Sequence, residues 1–290
     1  MPMLRALLCV ALLSGTAQAL DAETLRARHA TLREQLANNP FGRPLHVESS
    51  TSDAAQKGEI YAVIEQPYSV VAPALARPEH WCDILVLPFN VKRCDASNDG
   101  GDTLAAFFTR KPRDSVNSAY RVAFRYELAT ASADYLQVAL QARSGPVGTR
   151  NYDIRLEAAP LDSRRTFIHM SYAYTLGSMA RLAMDVYLAS AGREKFGFSV
   201  VDRLPDGRPV YVDGARGVVE RNAMRYYLAI EAYLGSLAAP PAERLEARLR
   251  DWYAATARYP QLREPVGAEE YVEMKVREAS SASAGTSAPR

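Results

Sequence analysis

The longest regular run of apolar positions lies between Asp213 and Leu237. Placed on a helix, Val219, Ala223, Tyr226, Tyr227, Ile230, Tyr233, Leu234 and Leu237 share one arc. Glu220, Arg221, Arg225 and Glu231 fall outside it, so the spacing predicts an amphipathic helix. Asp213 and Gly214 suit its start, and Pro240-Pro241 stops the chain soon after its end. At about 1.5 Å per residue such a helix reaches roughly 35 Å, the width of a small domain.

Upstream the period changes to two. Tyr120, Val122, Phe124, Tyr126 and Leu128 alternate with charged or small residues. Leu136, Val138 and Leu140 do the same, as do Tyr152, Ile154 and Leu156, and then Ile168, Met170, Tyr172 and Tyr174. Arg43–Ser49, Lys57–Glu65, Val86–Cys94 and Leu104–Arg110 are further expected strands. Short polar links around Ser132, Ser144-Gly145-Pro146 and Leu161–Ser163 join successive strands into an antiparallel meander, covered on one face and wet on the other.

Helical spacing interrupts this pattern in four places. Leu25, His29, Leu32 and Leu36 mark an N-terminal helix within residues 20–40, ended at Asn38-Asn39-Pro40. Between Pro67 and Leu85 two short helices are expected, the first capped by Ser69 and the second opened by Pro78. Met179, Leu182, Ala183 and Val186 give Ser178–Ser190 one apolar face, suited to packing on the sheet or to covering a cavity as a flap. Phe196, Phe198 and Val200 then return as a strand before a turn at Pro205-Asp206-Gly207. In an extension over residues 241–278, Leu245, Leu249, Trp252 and Tyr259 form a stripe that either packs on the domain or meets a membrane surface or envelope protein. Residues 279–290, rich in Ser and Ala, are expected to be disordered.

Composition narrows the function classes. With 290 residues and 48% hydrophobic content the chain can bury a sizeable core. Its 35 basic and 33 acidic residues are mixed along the chain, and the net charge of +2 leaves no basic face for nucleic acid. Arg5, the apolar run Ala6–Leu13 and the small-x-small Ala17-Gln18-Ala19 form a signal-peptide pattern over residues 1–19. The run is too short to span a bilayer, so a mature chain beginning at Leu20 is expected in the periplasm or outside the cell. Cleavage removes Cys9 and leaves Cys82 and Cys94, which in an oxidising compartment are expected to form one disulfide. A catalytic Cys82 beside His80 would need a free thiol.

Gly58–Leu85 (GEIYAVIEQPYSVVAPALARPEHWCDIL), the meander and the final long helix together resemble the START-like superfamily of polyketide cyclases and lipid-transfer proteins. The resemblance covers residues 43–237 and rests on element order and on the Pro67-to-Trp81 landmark. It implies an α+β helix-grip fold, in which a curved antiparallel sheet wraps a long C-terminal helix and leaves a cavity between them. The helix at Ser178–Ser190 and the terminal helices are additions to that plan.

In such a cavity Phe124, Tyr126, Val138, Ile154, Met170, Tyr172, Tyr226 and Ile230 would line the space, a set suited to a hydrophobic small molecule or lipid. The same side chains would equally fill one another's space in a closed core. His29, His46, His80 and His169 have no metal-ligand spacing, and no nucleophile elbow, P-loop or dinucleotide fingerprint is present. No catalytic residue, metal or cofactor is assigned. His169 is the best candidate base, but its parity on the strand places it on the outer face. The expectation is an exported carrier or binding protein. The alternatives are a pocket enzyme of the polyketide-cyclase type and an envelope interaction protein with a closed core.

Overall fold

The computed structural model describes residues 13–52, 55–97, 101–190, 192–263 and 266–286. Eight strands form one antiparallel sheet: β1 Leu45–Thr51, β2 Ala55–Ile64, β3 Val91–Ser97, β4 Thr103–Phe108, β5 Tyr120–Ala131, β6 Leu136–Ser144, β7 Thr149–Pro160 and β8 Thr166–Leu176. Their order across the sheet is β1-β2-β8-β7-β6-β5-β4-β3. The meander from β3 to β8 follows from short links, and the β1–β2 hairpin closes onto β8 through the ladder from Ala55↔Thr175 to Ile64↔Thr166.

The helices are α1 Leu13–Thr31, α2 Arg33–Ala37, α3 Tyr68–Leu75, α4 Pro78–Leu85, α5 Ser178–Ala189, α6 Gly214–Ser236, α7 Arg244–Ala257 and α8 Ala268–Thr286. The expected long helix is α6, and it packs on β1, β2, β8 and α4. Gly58 on β2 permits this approach, because a Cβ there would sit 3.0 Å from the Val219 carbonyl oxygen and 3.2 Å from Ala223 Cβ. Inward-facing residues of the sheet, α3, α4, α6 and α7 form one continuous core. This is the helix-grip arrangement that the sequence resembles.

On the opposite face of the sheet, Leu25, Leu32 and Leu36 of the N-terminal helices bury Tyr61, Val63 and Phe167 in a smaller core. The expected N-terminal stripe is therefore present, with His29 edge-on to Phe167 at 4.9 Å. Residues 1–12 of the expected signal peptide lie outside the described residues. Among the described residues no helix is long and apolar enough to cross a membrane.

The Cys82–Cys94 disulfide joins α4 to β3, with Cα atoms 5.1 Å apart and a sequence separation of 12. Closing a loop of this length stabilises by about 3 kcal/mol in the chain-entropy model. Beyond α6, Leu249 and Trp252 of α7 are fully buried, so the Leu245–Trp252 stripe packs on the domain. Helix α8 is tied down by hydrogen bonds from Tyr271 Oη to the Leu87 carbonyl (2.7 Å) and from Lys275 Nζ to the Val91 carbonyl (2.5 Å).

Several local expectations are corrected. Val86–Asn90 is not strand: Val86 N–H donates to the Cys82 carbonyl and Val91 N–H to Pro88, so the chain leaves α4 through turns before β3 begins. Pro88 supplies the reason, since it cannot donate to a ladder. Pro67, not Ser69, is the residue before α3, with no side-chain cap. Phe196–Ser199 is irregular, and the late hairpin is β9 Val200–Arg203 with β10 Pro209–Tyr211 around the expected turn. Helix α8 continues to Thr286 through the stretch expected to be disordered, because Ala is a strong helix former and the preceding turns are anchored. Residues 287–290 lie outside the described residues.

Candidate functional site

The interior between sheet and helix is filled along most of α6 and opens at one end into a cleft of about 470 Å³. Helix α6 supplies Asn222, Arg225 and Tyr226, which at i, i+3 and i+4 occupy one face. Tyr152 comes from β7, Tyr172 from β8 and Val122 from β5. Pro88–Asn90, Phe108–Arg110, Pro112 and Pro146 close the sides, and the insert between β8 and α6 contributes Tyr187 and Lys195.

The aromatic wall is built by local geometry. Between Arg150 and Asp153 the β7–β8 register shifts, with Asn151 at a φ of 51°, which places Tyr152 beside Tyr172. Gly145 leaves room for that ring, since a Cβ there would lie 2.3 Å from Tyr152 Cε2. Tyr172 and Tyr226 stack at 5.6 Å between ring centroids, and Tyr152 stacks on Tyr174 at 5.5 Å. Phe124 meets Tyr152 edge-on at 6.2 Å from behind. These separations lie in the range where aromatic pairs attract beyond their area burial.

The same enclosure fixes the protonation state. Burial pushes the Tyr172 hydroxyl far above its ordinary range, with neighbouring tyrosines adding to the effect, and burial also raises Tyr152 and Tyr226. These hydroxyls therefore remain protonated at ordinary pH. Tyr152 pairs with the Thr149 hydroxyl at 2.9 Å.

The insert is held to α6 by a buried carboxylate. Glu220, fully buried, accepts from Phe198 N–H at 2.6 Å, Ser199 N–H at 2.9 Å, the Ser199 hydroxyl at 2.7 Å and the Ser49 hydroxyl at 2.6 Å. Arg221 donates to the Phe196 carbonyl at 3.0 Å. Lys195 is thus attached to a fixed segment. Both Glu220 and Arg221 were expected on a polar outer arc of the helix. The returning chain covers them instead and satisfies them with its own backbone groups.

Of the residues expected to line a cavity, the structure brings Tyr172 and Tyr226 together at the cleft. Phe124 lies one layer behind. Val138, Met170 and Ile230 are fully buried, and Tyr126 and Ile154 nearly so, in the packed core. Asn222 was missed although it lies one turn before Tyr226 on the same face, and Arg225, outside the apolar arc, borders the cleft as the i+3 neighbour of Asn222. Arg110 and Lys195 come from connections whose position no periodicity reveals, and Tyr187 comes from α5, outside its expected apolar face.

The insert also reverses an expectation. Met179, Leu182 and Val186 of α5 are 70%, 58% and 60% exposed. The helix instead buries Ala180 and turns Met184 and Tyr187 toward the domain. Its apolar face neither packs on the sheet nor covers the cleft.

His169 lies on the outer face, as its parity requires. Its Nδ1 is 2.7 Å from Glu157 and its Nε2 is 3.0 Å from Glu59, under the stacked ring of Tyr61. It does not face the cleft. No cluster of His, Cys, Asp or Glu among the described residues could hold a metal ion.

No protein-family model and no curated protein matches the sequence. Among solved structures, an aromatase/cyclase from a Streptomyces species is 15% identical, covering 67% of this chain and 98% of its own, with a TM-score of 0.36. Norcoclaurine synthase from Thalictrum flavum is 14% identical over 47% of this chain and 86% of its own, with a TM-score of 0.35. A START superfamily protein from Mycobacterium smegmatis is 12% identical over 47% and 92%, with a TM-score of 0.31.

Proposed function

We propose that this chain is an exported binding protein that holds a small molecule with a flat apolar body in the cleft beside α6, without altering it chemically. The carrying observation is the aromatic wall facing a cleft of about 470 Å³, in which Tyr172 stacks on Tyr226 and meets Tyr152 edge-on. That volume lies within the usual size of small-molecule sites, and rigid ring faces with a few polar tips are a common lining. A binding role is further supported by the lining itself, whose tyrosines and lysine have no His, Cys, Asp or Glu among the lining residues to activate them. Burial raises the Tyr152, Tyr172 and Tyr226 hydroxyls above the ordinary phenol range. Export rests on the pattern of residues 1–19 and fits a chain with a disulfide.

Titration with N-phenyl-1-naphthylamine, an uncharged aromatic probe whose fluorescence rises on leaving water, tests the site. Wild type is expected to bind it, and Asn222→Trp, which fills the cleft from a half-buried position, is expected to raise the dissociation constant about tenfold or more with the melting temperature nearly unchanged. No binding by wild type, or equal binding by the folded variant, would contradict the proposal.

A further inference from the structure

The charges around the cleft are of one sign. Arg110, Lys195 and Arg225 border it, and no carboxylate does. This is unusual for this molecule, whose 35 basic and 33 acidic residues are nearly balanced. Elsewhere four exposed arginines of strands and turns sit beside a carboxylate two or three residues away: Arg125 with Glu127, Arg155 with Asp153, Arg165 with Asp162, and Arg208 with Asp206. Glu194 precedes Lys195 in the chain, but among the described residues the side chains of Arg110 and Lys195 make no hydrogen bond or ion pair; Lys195 donates only its backbone N–H, to the Gly192 carbonyl. Their chain segments are nevertheless fixed. Thr109 N–H donates to the Asn90 carbonyl at 2.8 Å beside Arg110, and Phe196–Ser199 beside Lys195 is clamped by Glu220 and Arg221.

Two cations without internal partners, a third from α6, and protonated tyrosine hydroxyls therefore surround one aromatic-walled space. Guanidinium, ammonium and phenol hydroxyl groups are hydrogen-bond donors, and such groups bind an anion best when it also brings apolar surface to the rings. We infer that the cleft selects an amphipathic organic anion, with its flat apolar body against Tyr152, Tyr172 and Tyr226 and its carboxylate, sulfonate or phosphate directed toward Arg110, Lys195 and Arg225. This inference rests on the cleft being the binding site and adds the chemical class of its ligand.

A matched pair of probes separates the two ideas. 1-Anilinonaphthalene-8-sulfonate carries the ring body of N-phenyl-1-naphthylamine plus one negative charge. The intact protein is expected to bind the sulfonate roughly ten- to a hundredfold more tightly at low salt, the range of one or two charge-assisted hydrogen bonds. That ratio is expected to shrink as salt rises. In the double variant Arg110→Gln, Lys195→Gln, whose two positions are solvent-exposed, the ratio is expected to fall toward one with an unchanged melting temperature. Inorganic phosphate, compared with chloride at equal ionic strength, is expected not to displace the sulfonate, because it brings no apolar body. Equal affinity for the two probes in wild type, an unchanged ratio in the double variant, or displacement by phosphate would each overturn the inference while leaving the cleft as a binding site. Failure to bind either probe would remove the binding site itself and the inference with it.

Discussion

At the scale of single residues, Tyr226 and Ile230 show how one helical face serves two purposes. They are one turn apart in the same apolar arc, yet Tyr226 borders the cleft and Ile230 is completely buried. Ile230→Ala is expected to cost about 2–5 kcal/mol, from lost transfer energy and the cavity left behind. Ile230→Trp is expected to overpack and destabilise by about 1–3 kcal/mol. Urea unfolding checks both, and a Trp variant as stable as wild type would mean that the space along α6 is larger than the packed core described above. Periodicity identified both residues as facing the sheet, because parity and helical spacing report direction. It could not report how far along the helix the interior is filled, since that depends on the summed volumes of side chains from β1, β2, β8 and α4. The cationic rim was illegible for a related reason. Arg110 and Lys195 lie on connections, and what brings them to one cleft is three-dimensional placement.

At the scale of elements, the outer face of the sheet holds the N-terminal helices over a charged cluster. Glu59, Glu157 and His169 are bonded in series, Lys57 donates to Glu59 at 2.8 Å, and the Tyr135 hydroxyl donates to Glu157. Burial disfavours the charge on His169, but the hydrogen bonds it donates to Glu157 and Glu59 outweigh that and raise its pKa above the ordinary 6.5. Burial likewise works against Glu59, whose bonds to His169 and Lys57 hold it at about 2, and Glu157 is lowered for similar reasons. A raised histidine stabilises fully below pH 6.5 and loses its contribution as pH rises through its folded value. The lowered glutamates stabilise above about pH 4.5 and lose theirs as pH falls toward 2. The stability advantage of wild type over His169→Gln is therefore expected to be greatest between pH 4.5 and 6.5 and to shrink on the alkaline side. Melting curves across pH 4 to 9 measure it, and a difference independent of pH would contradict the pairing. The outer-face position of His169 was legible from alternation alone. Its two carboxylate partners were not, because they come from β2 and β7, and register between distant strands is set only when the sheet assembles. The case of α5 is the converse: its apolar stripe was correctly located, but the helix presents that stripe to solvent and packs through Ala180, Met184 and Tyr187.

At the scale of the whole molecule, the order of elements was the most legible feature. A chain that alternates at period two with short links has few options other than a meander, and a long amphipathic helix after it must cover the exposed apolar face. The disulfide between Cys82 and Cys94 was also legible, and it ties α4 to β3. The site was less legible than the fold because the cleft forms where the late insert, two loops and the middle of α6 meet. That this cleft holds a ligand is the central claim. Native mass spectrometry of the protein taken from the periplasmic or secreted fraction, where the proposed export would place it, would read the chain and its cargo together. The expected result is a chain beginning at Leu20 that carries one non-covalently bound small molecule, with the same adduct missing from folded Asn222→Trp. A wild-type chain free of any adduct under conditions that preserve non-covalent complexes, or an adduct retained equally by Asn222→Trp, would contradict the account.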